Sequence, residues 1–288
     1  MSAIAYITDS KMLELHRLNN HRTMNFWRLS NNINFSDFHI GDLVFFLSKD
    51  KEHMKNKEKG IVGFGRLKHI HLNTIKYMWD KYGDLNGYNT YDEFKEAVTK
   101  VAKEKTTPKR ISSFYLENVT FFQPIYLSEC DLSISSNIES YFYLKPDEVV
   151  LKLLNFAQKS IDAWSIVNLE ESVDKEMVQY ALYATHNRIG EMINDEKIEA
   201  KAKKSLRKHI EKDKELSFIQ ASGFELYKIS CHNIIVVLYH DRNVNERLLL
   251  GQAQLYRHYI KHYYNNPVVF TFMTSDNDLL IEYQLNNI

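Results

Sequence analysis

Two short apolar runs constrain the fold of this chain more than any other feature. Ile234-Ile-Val-Val-Leu-Tyr239 follows the turn residue Asn233, and Asp42-Leu-Val-Phe-Phe-Leu47 opens just after Gly41. Runs of this length suit strands buried on both faces. With one in each half of 288 residues, the chain has room for two domains, each built on a sheet.

Periodicity fills in the surroundings. In the first half, Gly60-Ile-Val-Gly-Phe-Gly-Arg66 reads as a strand whose glycines allow a bulge or a close backbone approach. Residues 119–127 read as a third strand, with Pro124 favouring an edge or a bend. Residues 91–105 read as a helix, with Thr90 and Glu93 as a capping box and Phe94, Ala97, Val98 and Val101 as the apolar stripe. A helix-like stretch covers 147–159, and the polar segment 133–140 precedes it. In the second half, helices are expected over 175–193, 196–212 and 246–264. Strands are expected at 216–220, 224–229, 234–239, 267–272 and 279–283. The fold class is mixed α/β, with domains at 1–155 and 165–288 and the boundary between 155 and 165.

Composition excludes several classes. With 44% hydrophobic and 26% charged residues the chain has ample material for a core. No apolar run approaches the length of a membrane span, and the segment from Met1 to Asp9 is too short and acid-flanked for a signal peptide. The two cysteines, Cys130 and Cys231, stand far apart, so a disulfide scaffold is not expected and a cytoplasmic location is. Lys plus Arg equals Asp plus Glu at 37 each. The balance holds in each half, with 20 basic and 19 acidic residues up to position 150 and 17 and 18 beyond it. Nucleic-acid binding would therefore rest on local patches. One patch is Lys100 to Arg110, with Lys103, Lys109 and Arg110. The other is the acid-free stretch 201–208, with Lys203, Lys204 and Arg207. Each also reads as a solvated helix face, and lysines suit a helix C-terminus.

The order of motifs in the first half carries a resemblance. Phe26-Trp-Arg28, then Gly41-Asp-Leu-Val-Phe-Phe46, then Ile61-Val-Gly-Phe-Gly65, is similar to the opening of an EVE domain of the PUA-like superfamily. Trp79-Asp-Lys-Tyr-Gly83 and the helix at 91–105 fit a helical insertion in such a domain. The resemblance implies a β-barrel that reads modified bases by taking a flipped base into a pocket. Flat walls and a few edge contacts are what such a pocket needs. Trp27, Phe45, Phe46, Trp79 and Tyr82 are its candidate walls, and Arg28, Asp42 and Ser48 its candidate polar contacts. Because Phe45 and Phe46 alternate along a strand, at least one of them belongs to the core, and Asp42 after Gly41 also suits a turn.

The second half resembles a PD-(D/E)XK nuclease core in its order of helix, three strands, helix, strand (αβββαβ). Ser222-Gly-Phe-Glu225 resembles that family's first motif. Gly251-Gln-Ala-Gln-Leu-Tyr256 resembles its helix motif GQ-x-x-x-Y. The resemblance implies two carboxylates holding Mg²⁺ and a lysine beside them. Glu225 supplies the first carboxylate, but Tyr239-His-Asp241 stands where E-x-K is expected. A metal site would need Asp241 as second ligand beside Glu225, with Lys228 or Arg242 as cation and Gln252 nearby. Loss of cleavage is the alternative.

Other clusters read as ordinary surface. His258 and His262 lack a third zinc ligand, His69 and His71 share one strand face, and Glu191 and Glu196 are generic carboxylates. The expected function is binding of modified DNA in a restriction or phage-defence setting. An active Mg²⁺-dependent endonuclease, an RNA-binding PUA-like protein, and an interaction module dimerising through the helix at 246–264 are the alternatives. A homodimer is possible in any of these, and no membrane partner is expected.

Overall fold

The computed structural model describes residues 3–30, 33–54, 57–102, 107–130, 140–145, 147–159, 169–190, 196–219, 225–230, 233–241 and 246–287. The chain forms two compact units, Ser2–Val173 and Asp174–Ile288. Most of the expected linker at 133–140, and the end of the expected boundary at 160–165, fall outside the described residues.

The N-terminal unit is built on a six-stranded sheet: β1 (Ala3–Thr8), β2 (Thr23–Arg28), β3 (Leu43–Glu52), β4 (Lys59–Asn73), β5 (Ile111–Ile125) and β6 (Tyr141–Leu144). The strand order is β2-β5-β4-β3-β1-β6. β1 runs parallel to β3, and every other pairing is antiparallel. The apolar run at 43–47 becomes β3, wholly buried over those residues. Four helices accompany the sheet: α1 (Ser10–Leu18), α2 (Ile75–Tyr82), α3 (Tyr91–Ala102) and α4 (Asp147–Lys159). Asp9 caps α1 and Thr74 caps α2 through side-chain oxygens. At α3, Thr90 Oγ1 accepts the Glu93 N–H as expected, while the Glu93 carboxylate reaches back to the N–H of Asn89 rather than that of Thr90.

The sheet is open, not the closed barrel that the resemblance implied: among the described residues the edge strands β2 and β6 do not pair. It is nevertheless strongly curled. Phe26 on the edge strand β2 lies 5.1 Å from Tyr6 on β1, at the far side of the strand order, and 6.1 Å from Phe46 on β3. Aromatic rings fill the concave side and draw the sheet round without backbone closure. Bulges permit the bend: the β4–β5 register shifts three times, between Ile61 and His69. Gly63 sits at one shift, where a Cβ would lie 2.6 Å from the Thr120 carbonyl oxygen. Gly63→Ala is expected to cost about 1–3 kcal/mol, because backbone rather than a movable side chain must yield. A urea midpoint equal to that of the unsubstituted chain would contradict this.

The C-terminal unit contains most of α5 (Leu169–Gly190), then α6 (Glu196–Lys212), β7 (Ser217–Phe218), β8 (Glu225–Ser230), β9 (Asn233–Leu238), α7 (Glu246–Tyr263), β10 (Val269–Thr274) and α8 (Leu279–Asn286). Its four-stranded sheet has the order β10-β9-β8-β7. β7, β8 and β9 form an antiparallel meander, and β10 joins parallel to β9. That parallel pairing needs a long crossover, which α7 supplies. One face of the sheet packs Leu226, Val237 and Tyr239 against Ala202 and Leu206 of α6. The other turns Tyr227 toward α5, where its hydroxyl meets Gln179 and Tyr183.

The strand expected at 279–283 is instead helix α8. Asp278 accepts hydrogen bonds from the N–H groups of Leu280 and Ile281 and starts the helix. Ile281 and Leu285 are buried at i, i+4, while Leu279, Leu280 and Tyr283 are exposed. The apolar run there is thus one turn of an amphipathic helix and not an alternating strand. Among the described residues no helix is long and apolar enough to cross a membrane.

Candidate functional site

Alternation along β2 decides where the expected base-binding residues go. Phe26 and Arg28 face the concave side of the curled sheet; Trp27 faces the other. Arg28 is only 4% exposed. Its guanidinium lies 4.4 Å from the centroid of Phe114 and 4.7 Å from that of Phe35. It also hydrogen bonds the Tyr6 hydroxyl. Burial lowers the pKa of Arg28, with Tyr6 and Tyr141 opposing. Burial likewise raises the Tyr6 phenol above its ordinary value, and Arg28 pulls it back. Tyr6 and Tyr141 stack at 5.6 Å, and Phe35 meets Tyr141 at 5.8 Å. Tyr6, Phe35 and Tyr141 are only half buried, so the aromatic surround of Arg28 opens to solvent.

The other expected pocket residues do not join Arg28. Trp27 and Trp79 each pack against Phe94 of α3, with centroids 5.9 and 6.2 Å apart. Phe46 is wholly buried against Phe26 and Phe121, and Phe45 against Phe64 on the other side of β3. Asp42 is buried and accepts the His39 N–H at 2.8 Å, which is turn chemistry. Ser48 is buried and pairs its hydroxyl with that of Ser10 on α1. Tyr82 lies elsewhere, half buried against Tyr115 and His71. The single predicted pocket therefore resolves into Arg28 with partners that the sequence reading missed: Tyr6, Phe35, Phe114 and Tyr141. For Tyr6 and Tyr141 the one signal was aromatic residues in short strands, such as Tyr141-Phe-Tyr143.

Of the basic candidates, Lys109 and Arg110 are exposed just before β5. Lys103 lies outside the described residues. Over residues 201–212 of α6 the buried residues are Ala202, Leu206 and His209, which leaves Lys204 and Arg207 exposed and Lys203 at the margin. This basic run is the solvated face of an amphipathic helix.

In the C-terminal unit the polar centre is buried. Glu225, 2% exposed, opens β8. Its carboxylate accepts a hydrogen bond from Gln252 Nε2 on α7 and lies 3.6 Å from His186 Nδ1 on α5. The same His186 nitrogen is 2.7 Å from the Tyr256 hydroxyl. Tyr256 is fully buried, and burial, reinforced by the charge of Glu225, holds its hydroxyl well above the usual tyrosine range. The glutamine and tyrosine of the Gly251-to-Tyr256 motif, one helical turn apart, thus converge with His186 on Glu225.

Asp241 and Lys228 are not part of that centre. Glu225 pairs with Leu238 across the β8–β9 ladder, so the next residue, Tyr239, turns to the opposite side, and Asp241, past the end of β9, meets the Tyr239 hydroxyl there. The Tyr239 hydroxyl donates to Asp241 at 2.6 Å, and the Tyr239 ring packs with Ala202 and Leu206. Burial, then the Asp241 hydrogen bond, pushes the Tyr239 hydroxyl up to about 12. Lys228 pairs with Glu215 at 2.6 Å and Asp213 at 3.0 Å, which raise its pKa. The residues do not fit a Mg²⁺ site: a hard cation needs converging carboxylates, and here one is engaged by Gln252 and His186 while the other lies across the sheet. The remaining expected residue, Arg242, lies outside the described residues. Among the described residues no three His, Cys, Asp or Glu side chains are placed to hold a metal ion. His258 and His262 meet edge to face at 5.2 Å on the exposed side of α7.

No family model and no curated protein matches the chain. Similar solved structures include the ASCH from Zymomonas mobilis and two mutants of it. The first is 14% identical, with a TM-score of 0.38, over 53% of this chain and 94% of that one. The mutants are 13% identical, with TM-scores of 0.39 and 0.38, over 54% of this chain and 95% and 98% of theirs. A likeness this slight fixes neither family nor function.

Proposed function

We propose that this chain binds nucleic acid through its N-terminal unit, taking up an unstacked base at the aromatic mouth around Arg28, and that its target is modified duplex DNA in a restriction or phage-defence setting. The observation that carries this is the placing of Arg28 against Phe35 and Phe114, beside the half-exposed rings of Tyr6 and Tyr141. Rings open to solvent offer stacking faces, and the guanidinium they flank adds positive charge beside the base. Within the C-terminal unit the run α6, β7, β8, β9, α7, β10 supports a nuclease-like, duplex-holding role for the part of the sequence that resembles that core. With Asp241 turned away from Glu225, it serves to hold the duplex and not to cut it.

Competition between methylated and unmodified duplexes of one sequence, with RNA of the same sequence alongside, tests the reading. Preference for the methylated duplex is expected. Equal affinity for the two duplexes would sink the modified-base claim, and tighter RNA binding would convert the chain into an RNA reader. Arg28→Met should weaken duplex binding by roughly tenfold, through loss of the buried positive charge that the surrounding rings hold, with the unfolding midpoint measured in parallel.

A further inference from the structure

Outside that mouth, one strand carries a second aromatic feature. Phe114 of β5 turns inward to Arg28, and its neighbour Tyr115 turns to the opposite face. There Tyr115 stacks on Tyr82 from the end of α2, with centroids 5.4 Å apart and planes within 27°. Tyr82 meets His71 of β4 at 5.7 Å, and His71 meets His69 at 5.9 Å. His69 sits opposite Tyr115 in the β4–β5 ladder. Four rings thus form a continuous row; His69 is exposed and the other three are half buried.

The surroundings of the row discriminate among partners. The Lys81 ammonium hangs 5.1 Å from the Tyr82 centroid and 5.8 Å from that of Tyr77, itself 45% exposed. Among the described residues Lys81 has no carboxylate partner. The nearby lysines are already matched, Lys68 with Glu117 and Lys76 with Asp80. The row shows flat rings with polar edges, beside a lysine that leans on Tyr82 and Tyr77 and has no carboxylate partner among the described residues. Ring faces and a backbone charge are what unpaired bases seek, whereas paired bases hide their faces in the stack.

We infer that the row Tyr115, Tyr82, His71 and His69 is a stacking platform for a stretch of single-stranded nucleic acid, with Lys81 meeting its phosphates. The inference rests on the nucleic-acid reading above and adds to it a second contact surface. With Lys81 the one lysine of the row lacking a carboxylate partner among the described residues, binding here depends weakly on salt, unlike that of a basic groove.

Fluorescence anisotropy on the full chain, with labelled strands of about ten thymidines or ten uridines, tests it; comparing the two strands separates DNA from RNA. The double variant Tyr82→Leu with Tyr115→Leu should bind roughly tenfold or more weakly than the unsubstituted chain. The double variant Tyr82→Phe with Tyr115→Phe keeps the rings and should bind as well as the unsubstituted chain. Tyr82→Leu alone, at a half-buried helix end, serves if the double leucine variant fails to fold. Unchanged binding in the leucine variants overturns the platform, and so does equal loss in the phenylalanine variant. Duplex binding with no binding to either single strand overturns the platform and leaves the proposed function standing. No binding to any nucleic acid overturns both.

Discussion

Phe114→Ala is expected to lower the stability of the N-terminal unit by about 3–5 kcal/mol, the usual range for emptying a buried phenylalanine site. Phe114 has no exposed surface. Its ring lies between 5.5 and 6.2 Å from those of Phe38, Phe35, Tyr6 and Phe26, which come from three different segments of chain. It also covers the Arg28 guanidinium. Removing it opens a cavity among rings too rigid to collapse into it and strips one side of a buried cation. Such a loss is a large fraction of an ordinary domain's stability. Phe114→Leu keeps much of the volume and should cost less. Urea unfolding, with hydrogen exchange to localise the change to β5 and its neighbours, checks this. A midpoint for the alanine variant close to the unsubstituted value would show that the ring is not the keystone of the concave side.

The second large effect is expected at the buried carboxylate. Gln252→Leu should cost about 2–3 kcal/mol, because a hydrogen bond to a charged group is lost and the carboxylate is left with less compensation in the interior. Glu225→Gln keeps the shape and removes the charge, so it should be nearly neutral. That asymmetry distinguishes a structural carboxylate from a catalytic one. Incubation of modified phage DNA with Mg²⁺ is expected to leave the DNA intact. If the DNA is cut, and Glu225→Gln abolishes cutting while keeping the fold, the carboxylate does chemistry after all. If Gln252→Leu proves as stable as the unsubstituted chain, the Gln252–Glu225 bond does not hold α7 to the sheet.

Much of the architecture was legible because it follows from short-range physics. The apolar run at 234–239 could only be a covered strand, and β9 lies between β8 and β10. The glycines at 60–65 announced a close approach, and Gly63 sits against the Thr120 backbone. What stayed hidden is which side of a strand faces inward. In β2 and β3 both sides are buried, so Trp27 and Arg28, or Phe45 and Phe46, look equally eligible for one pocket although they point in opposite directions. Asp241 failed as a partner for Glu225 for a related reason: it follows the end of β9 and meets Tyr239, which turns to the side of the sheet away from Glu225. At 279–283 two readings of one apolar stretch competed, and the cap at Asp278 decided for the helix. Tyr6 and Tyr141 were missed because β1 and β6 are short, and among the described residues they pair only with each other and with β3.

That last pairing has a temporal meaning. β1 begins at Ala3, yet it lies between β3 and β6, which ends at Leu144. As the chain leaves the ribosome, β1 can gain one neighbour once β3 has emerged and must wait through β4, the helices and β5 for the other. Until then one edge of β1 is bare, an invitation to pair with the wrong strand. Long-range closures of this kind slow folding. The N-terminal unit should therefore be completed late, by the arrival of residues 141–144, and the aromatic mouth that includes both Tyr6 and Tyr141 is assembled only at that final step.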